Sequence, residues 1–71
     1  ADPAVRALGA RTKAMSLHVA SRYQEAAEHY ERARQLYRRA GRAVERARVE
    51  RALVDALIYL GRYDEALALA D

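Results

Sequence analysis

The sequence predicts an all-α fold, a helical hairpin array of three full helices and a partial fourth that reads as a fragment of an α-solenoid. Three observations carry this. Ser21-Arg22-Tyr23-Gln24-Glu25-Ala26 returns forty residues later as Gly61-Arg62-Tyr63-Asp64-Glu65-Ala66, and Arg6/Arg46, Ala7/Ala47, Arg11/Arg51 and Leu17/Leu57 match at the same offset. A fixed internal period marks stacked units, each unable to bury its apolar face alone. One Pro and three Gly among 71 residues favour long helices with short turns. Apolar residues recur at three- and four-residue steps along each segment, the spacing of a helical face.

The first helix is expected over about residues 3–20. Asp2 can cap its free N–H groups, and Pro3 is tolerated in the first turn. Val5, Leu8, Met15, Val19 and the alanines between them keep helical spacing. Gly9 weakens this helix by about 1 kcal/mol relative to Ala and could admit a neighbouring backbone. Ser21 followed by Gln24 fits a capping box that would start a second helix over about residues 23–40. Alternatively, Ser21 merely occupies the turn position that Gly61 fills later. In the second helix Ala26, Tyr30, Ala33 and Tyr37 form one stripe, with Ala27 and Leu36 beside it. Arg38, Arg39 and Gly41 read as its C-terminus: cations near the negative dipole end, then a residue free to adopt the left-handed cap.

The third helix runs from Arg42 or Ala43 to Leu60. Val49, Leu53, Ala56, Leu57 and Leu60 make its stripe, and Val54 and Ile58 extend it round the helix, which predicts neighbours before and after. Gly61 ends it, and a fourth helix starts near Tyr63 and continues for about two turns to Asp71. Short connections make successive helices antiparallel. The expected organisation is one domain over residues 1–71, with a first repeat at 3–40 and a second, truncated repeat at 43–71.

Length allows one small domain at most. Cysteine is absent, so neither a disulfide nor a thiolate zinc site can staple the chain, which fits a reducing cytoplasm. The longest mostly apolar run, Leu53 to Leu60, is interrupted by Asp55 and is far short of the ~20 residues that span a bilayer. No secretory-type segment precedes it, and the chain begins with Ala1 rather than Met, which leaves room for a longer natural chain. Thirteen basic residues, twelve of them Arg, face ten acidic ones for a formal charge of +3.

The motif centred on Ala26 and Ala66 resembles the tetratricopeptide repeat. The family places a small residue early in the second helix of each pair, where the helices cross most closely. Tyr23, Glu25 and Tyr63, Glu65 match the residues before it, Tyr30 and Ala33 those after it, Leu17 and Leu57 the large residue nine positions earlier, and Gly61 the inter-helix glycine. The chain departs from the family where Ala10 and Glu50 replace its early Trp, Lys13-Ala14 and Leu53-Val54 its Leu-Gly pair, and Arg38 its Pro. The period is 66 − 26 = 40 rather than the usual ~34. That longer period is similar to variant arrays of bacterial signalling proteins, transcriptional regulators and CHAT-domain proteins, and the run Leu57 to Leu67 resembles the CHAT-associated arrays.

The resemblance implies a cytoplasmic scaffold, not an enzyme, that binds a peptide, a partner domain or another copy of itself. It places a groove on the first helix of each pair, lined by Leu8, Arg11, Met15, His18 and Val19, then by Arg48, Arg51, Asp55, Ile58 and Tyr59. Arg11, Met15, His18, Arg48, Arg51, Asp55, Ile58 and Tyr59 are the expected partner-binding residues, the arginines favouring an acidic or carboxylate-bearing ligand. The family's carboxylate clamp needs an Asn where Met15 and Asp55 stand. An unfinished apolar pattern at Leu67 and Leu69 predicts self-association.

Other chemistries find little support. His18 and His29 are eleven apart, 29 − 18, on different helices, whereas a helical metal pair needs a spacing near four. Thr12, Ser16 and Ser21 lack a His/Asp constellation, and no phosphate-cradling loop or cofactor motif is present. The arginines from Arg32 to Arg51 offer a second reading, a nucleic-acid-binding or regulator segment. Glu28, Glu31, Glu45 and Glu50 stand within helical salt-bridge spacing of them, and the modest net charge weighs against that reading. A third reading is a docking or sensor segment of a larger enzyme such as a CHAT-type protease.

Overall fold

The computed structural model describes residues 2–70. The expected domain limits at residues 1 and 71 lie outside the described residues. Four helices follow one another: α1 (Pro3–Val19), α2 (Tyr23–Arg39), α3 (Ala43–Tyr59) and α4 (Tyr63–Ala70). Each boundary falls within a residue or so of the position expected from the sequence. Successive helices pack on one another, α1 on α2, α2 on α3 and α3 on α4. The Cα trace fills a slab of 34 × 27 × 13 Å. The thin dimension leaves two broad helix faces open to solvent.

Helix α1 starts as expected, with the Asp2 side chain accepting from the Ala4 N–H at 2.9 Å and Pro3 opening the helix. The start of α2 differs from the capping-box expectation. Its N-cap is Arg22, which makes no side-chain cap bond, and Gln24 instead donates to Glu28 at 3.3 Å. Ser21 belongs to the end of α1: its φ of 61° is left-handed, like the 70° of Gly41 and 75° of Gly61. The alternative, that Ser21 stands in for a turn glycine, is the one the backbone adopts.

The three turns are built alike. The N–H groups of Ser21 and Arg22 donate to the carbonyls of His18 and Leu17, those of Gly41 and Arg42 to Arg38 and Tyr37, and those of Gly61 and Arg62 to Ile58 and Leu57. This is the Schellman pairing, which satisfies two otherwise orphaned carbonyls at each helix end. The next residue is always an Arg that N-caps the following helix and pairs with a Glu three residues on: Arg22–Glu25, Arg42–Glu45 and Arg62–Glu65. The turn thus recurs every twenty residues (41 − 21 and 61 − 41), a period hidden in the sequence because Ala43-Val44 replaces the Tyr-polar pair in the middle copy. A non-Gly residue in the left-handed region costs ~1–2 kcal/mol, part of which Gly returns as chain entropy in the unfolded state. Ser21→Gly is therefore expected to stabilise the chain by roughly 0.5–1 kcal/mol. An unchanged thermal midpoint would count against the strain.

The core is small-residue packing. Ala7, Ala14, Ala26, Ala33 and Ala56 are fully buried, and Leu17, Tyr30, Leu36, Tyr37, Val49, Leu53 and Leu57 supply the bulk. All six residues expected on the α2 face are buried, and so is Ala66 on α4. Helix α1 differs. Its large apolar residues Val5, Leu8, Met15 and Val19 are exposed, and its buried face is Ala7, Ala10, Ala14 and Leu17. Alanine wins that face because paired helices can approach only where side chains are short. Gly9 admits no neighbouring backbone: it is exposed, and nothing lies within 4 Å of where its Cβ would stand.

Candidate functional site

Helices α1 and α3 share a face on which two groups of expected binding residues come together. The first group is centred on His18. Its Nε2 lies 3.0 Å from Asp55 Oδ2 and its Nδ1 3.1 Å from the Tyr30 hydroxyl. Burial pushes the Tyr30 phenol above its ordinary value, Arg11 pulls it the other way and Asp55 pushes with burial. A protonated phenol can donate to Nδ1 or accept from it, and Nε2–H donates to the Asp55 carboxylate. One hydrogen-bonded chain therefore crosses α2, α1 and α3.

Aromatic rings wall this chain. Tyr59 stacks on Tyr23 with centroids 4.5 Å apart and planes 4° from parallel. His18 stands edge-on to Tyr23, Tyr30 and Tyr59, with centroids 5.4, 5.8 and 6.3 Å away respectively. Such edge contacts suit the ring quadrupoles. Tyr23 thus wedges between His18 on α1 and Tyr59 on α3. Tyr63, its counterpart, is exposed because no helix stands against it among the described residues.

The second group is basic. Arg11 and Arg48 line one narrow cleft with Tyr37 and Glu45. The remaining candidates stand apart. Arg51 and Ile58 line a different cleft of about 520 Å³ with Ala47, Val54, Asp55 and Leu69, and Met15 is exposed on α1. Sequence spacing put all eight on one helix side, but on α3 that side is divided between residues that meet α1 and residues that line the cleft beside Leu69.

Of the other ten arginines, Arg22, Arg34, Arg42, Arg46 and Arg62 hold glutamates, whereas Arg6, Arg32, Arg38, Arg39 and Arg51 form no ion pair among the described residues. Arg34 donates to Glu50 at 2.8 Å and to both oxygens of Glu31 at 3.1 Å, and the Glu50 bond holds its guanidinium in the charged form against burial. Arg46 lies 3.9 Å from Glu50, and its buried Nε has no hydrogen-bond partner. Arg11 and Arg48 also form no ion pair among the described residues. Arg34, Arg42 and Arg46 of the Arg32–Arg51 cluster are held by glutamates, and the formal charge is only +3, which fits the solvated-face reading better than a continuous phosphate track.

A third cleft, of about 570 Å³, opens between α2, α3 and α4. Leu53, Leu57 and Ala27 form its floor, and Glu28, Glu31 and Glu65 stand on its rim. The sequence reading missed it because its walls come from three helices. Among the described residues no group of three or more His, Cys, Asp or Glu is placed to hold a metal ion, and no helix is long and apolar enough to cross a membrane.

A family profile described as tetratricopeptide repeat matches residues 5–71. No match is found among curated proteins or among solved structures.

Proposed function

We propose that this chain, which belongs to the tetratricopeptide repeat family, is a non-catalytic scaffold that binds an acidic peptide or partner segment on the shared face of α1 and α3. The observation that carries this reading is the pair Arg11 and Arg48. Arg6, Arg32, Arg38, Arg39 and Arg51 also form no ion pair among the described residues, but Arg11 and Arg48 are two unpaired arginines from different helices that line one cleft, while Arg22, Arg34, Arg42 and Arg62 each hold a glutamate at 3.3 Å or less. A cation left free beside an ordered aromatic wall can pair with a ligand carboxylate without first breaking an internal bond.

His18, Asp55 and Tyr59 make the other end of that face. Their bonds to one another fix the wall before a ligand arrives, and pre-ordered side chains lose less entropy on binding. A ligand with carboxylates at one end and an apolar or aromatic group at the other would meet both halves. The organisation as repeats at 3–40 and 43–71, a cytoplasmic setting and self-association through the remaining apolar surface complete the reading.

The test is an anisotropy titration with a labelled Glu- and Asp-rich peptide. Exposed pairs contribute ~0.2–1 kcal/mol each, and reversing both charges adds repulsion, so the double variant Arg11→Glu/Arg48→Glu is expected to bind about tenfold or more weakly. Binding by the parent should also fall with salt, since exposed charges are screened over ~10 Å at 0.1 M. A double variant that binds as the parent does removes this face as the site.

A further inference from the structure

We infer that the cleft of about 570 Å³ between α2, α3 and α4 is a second docking site, and that its occupant is a short basic amphipathic helix of a partner protein. This site stands apart from the acidic-ligand face. Arg11, Arg48, His18, Asp55 and Tyr59 all lie outside its walls.

The cleft is a trough that follows the helix axes. Gln24, Glu28 and Glu31 line it at helical spacing on α2, and Glu65 and Leu69 do so on α4. Leu53 and Leu57, one turn apart on α3, form the floor between them. From Gln24 to Glu31 the α2 wall runs two turns, about 10 Å at ~1.5 Å per residue. A helix of two to three turns laid along it would meet the whole trough, with apolar residues at three- and four-residue steps against the floor. One end is closed, because Arg62 donates to the Gln24 side-chain oxygen at 3.3 Å.

Charge selects the occupant. The chain as a whole carries a formal +3, yet the charged lining of this cleft is three glutamates and one arginine. Arg62 holds Glu65, which balances the α4 wall. The α2 wall is not balanced. Glu28 has no cationic partner among the described residues. Arg34 approaches Glu31 at 3.1 Å but makes its shorter bond, 2.8 Å, to Glu50. The uncompensated negative charge therefore sits at Glu28 and Glu31, one helical turn apart, beside an apolar floor. A lysine or arginine suits that boundary, because its aliphatic stem lies on apolar surface while its head reaches a carboxylate. An acidic helix would be repelled. An uncharged one would take water from the two carboxylates and return no counter-charge.

A further repeat added with the arrangement seen inside the chain would leave this cleft open. Asp55 and Tyr59 of α3 take His18 and Tyr23 as their partners. Forty positions after those partners stand Ile58 and Tyr63, where an added helix would seat, and neither lines the cleft.

An anisotropy titration of the 71-residue chain tests this with a labelled peptide of leucine and lysine, its leucines at helical spacing. The control is a peptide of the same composition with that spacing scrambled. The parent is expected to bind the patterned peptide at least tenfold more tightly than the scrambled one at 0.15 M salt. The double variant Glu28→Lys/Ala68→Lys changes two exposed positions on facing walls. It is expected to keep its helical circular dichroism and to bind at least tenfold more weakly than the parent. If it loses that signal, Glu28→Gln/Glu31→Gln replaces it, with binding about fivefold weaker expected. Arg11→Glu/Arg48→Glu should bind the basic peptide no more weakly than the parent, so this site and the acidic-ligand face fail separately. A parent that does not bind, or that binds both peptides equally, overturns the proposal. So does a charge variant that binds as the parent does. Self-association of the parent that disappears in Glu28→Lys/Ala68→Lys assigns the cleft to a second copy and also overturns it.

Discussion

Leu57→Ala is expected to destabilise the chain by about 2–5 kcal/mol, the usual cost of removing a buried leucine and leaving a cavity. Leu57 is 3% exposed and sits in the core cluster on α3, which packs against both α2 and α4. Its side chain also floors the cleft between α2 and α4, and its carbonyl accepts the Arg62 N–H in the third turn. Stability of ~0.05–0.15 kcal/mol per residue gives a domain of this size roughly 4–10 kcal/mol in all. Losing Leu57 therefore removes a large share of it and draws α4 away from α3. The adjacent Ile58→Ala, on the half-exposed side, is the control and should cost well under half as much. Equal denaturation midpoints for the two variants would contradict the assigned core.

Ala26→Leu is expected to cost about 1–3 kcal/mol by overpacking. Ala26 is fully buried on α2, facing a stripe on α1 made of Ala7, Ala10, Ala14 and Leu17. The two helices approach as they do because neither carries bulk at that contact. A leucine there has no empty volume to enter, so α1 must move outward. In a domain of this length each kcal/mol lowers the thermal midpoint by ~4–8 °C. Ala27→Leu is a useful comparison: Ala27 is also buried but borders the cleft between α2 and α4, where a longer side chain has room. A midpoint for Ala26→Leu equal to the parent's would argue against a close crossing.

Much of the architecture was legible in the sequence for identifiable reasons. Gly41 and Gly61 marked turns because only glycine takes the left-handed cap without strain. The stripe Ala26, Tyr30, Ala33, Tyr37 marked a buried face because its spacing is helical and its partners are small. Helix α1 was harder. Val5, Leu8, Met15 and Val19 have the same spacing as a core stripe, and hydrophobicity alone does not say whether the large or the small apolar face is turned inward. The alanine face won because the neighbouring helix lies close. Ser21 misled because a hydroxyl before Gln24 suits a helix start as well as a turn, and the difference lies in the backbone angle.

The site was legible in part. His18, Asp55 and Tyr59 were named from family spacing, and the structure brings them together. The bond from Tyr30 to His18 was not visible, since twelve residues and a turn separate them, 30 − 18. Arg51 mirrors Arg11 in sequence yet lines another cleft, because α3 stands beside α1 while no further helix among the described residues stands beside α3. The twenty-residue recurrence of Arg22, Arg42 and Arg62 was legible in principle and would have located all three helix starts.

The central claim is that an acidic ligand binds the α1–α3 face, and backbone amide shift mapping by NMR tests it most directly. On titration with the Glu- and Asp-rich peptide, the account predicts that shift changes gather at Arg11, Arg48, Asp55, Tyr59 and Tyr23. The cleft rimmed by Glu28, Glu31 and Glu65 should stay silent, because its carboxylates repel such a ligand. Shift changes centred on Gln24, Glu28, Leu53 and Leu69, with Arg11 and Arg48 unmoved, would contradict it.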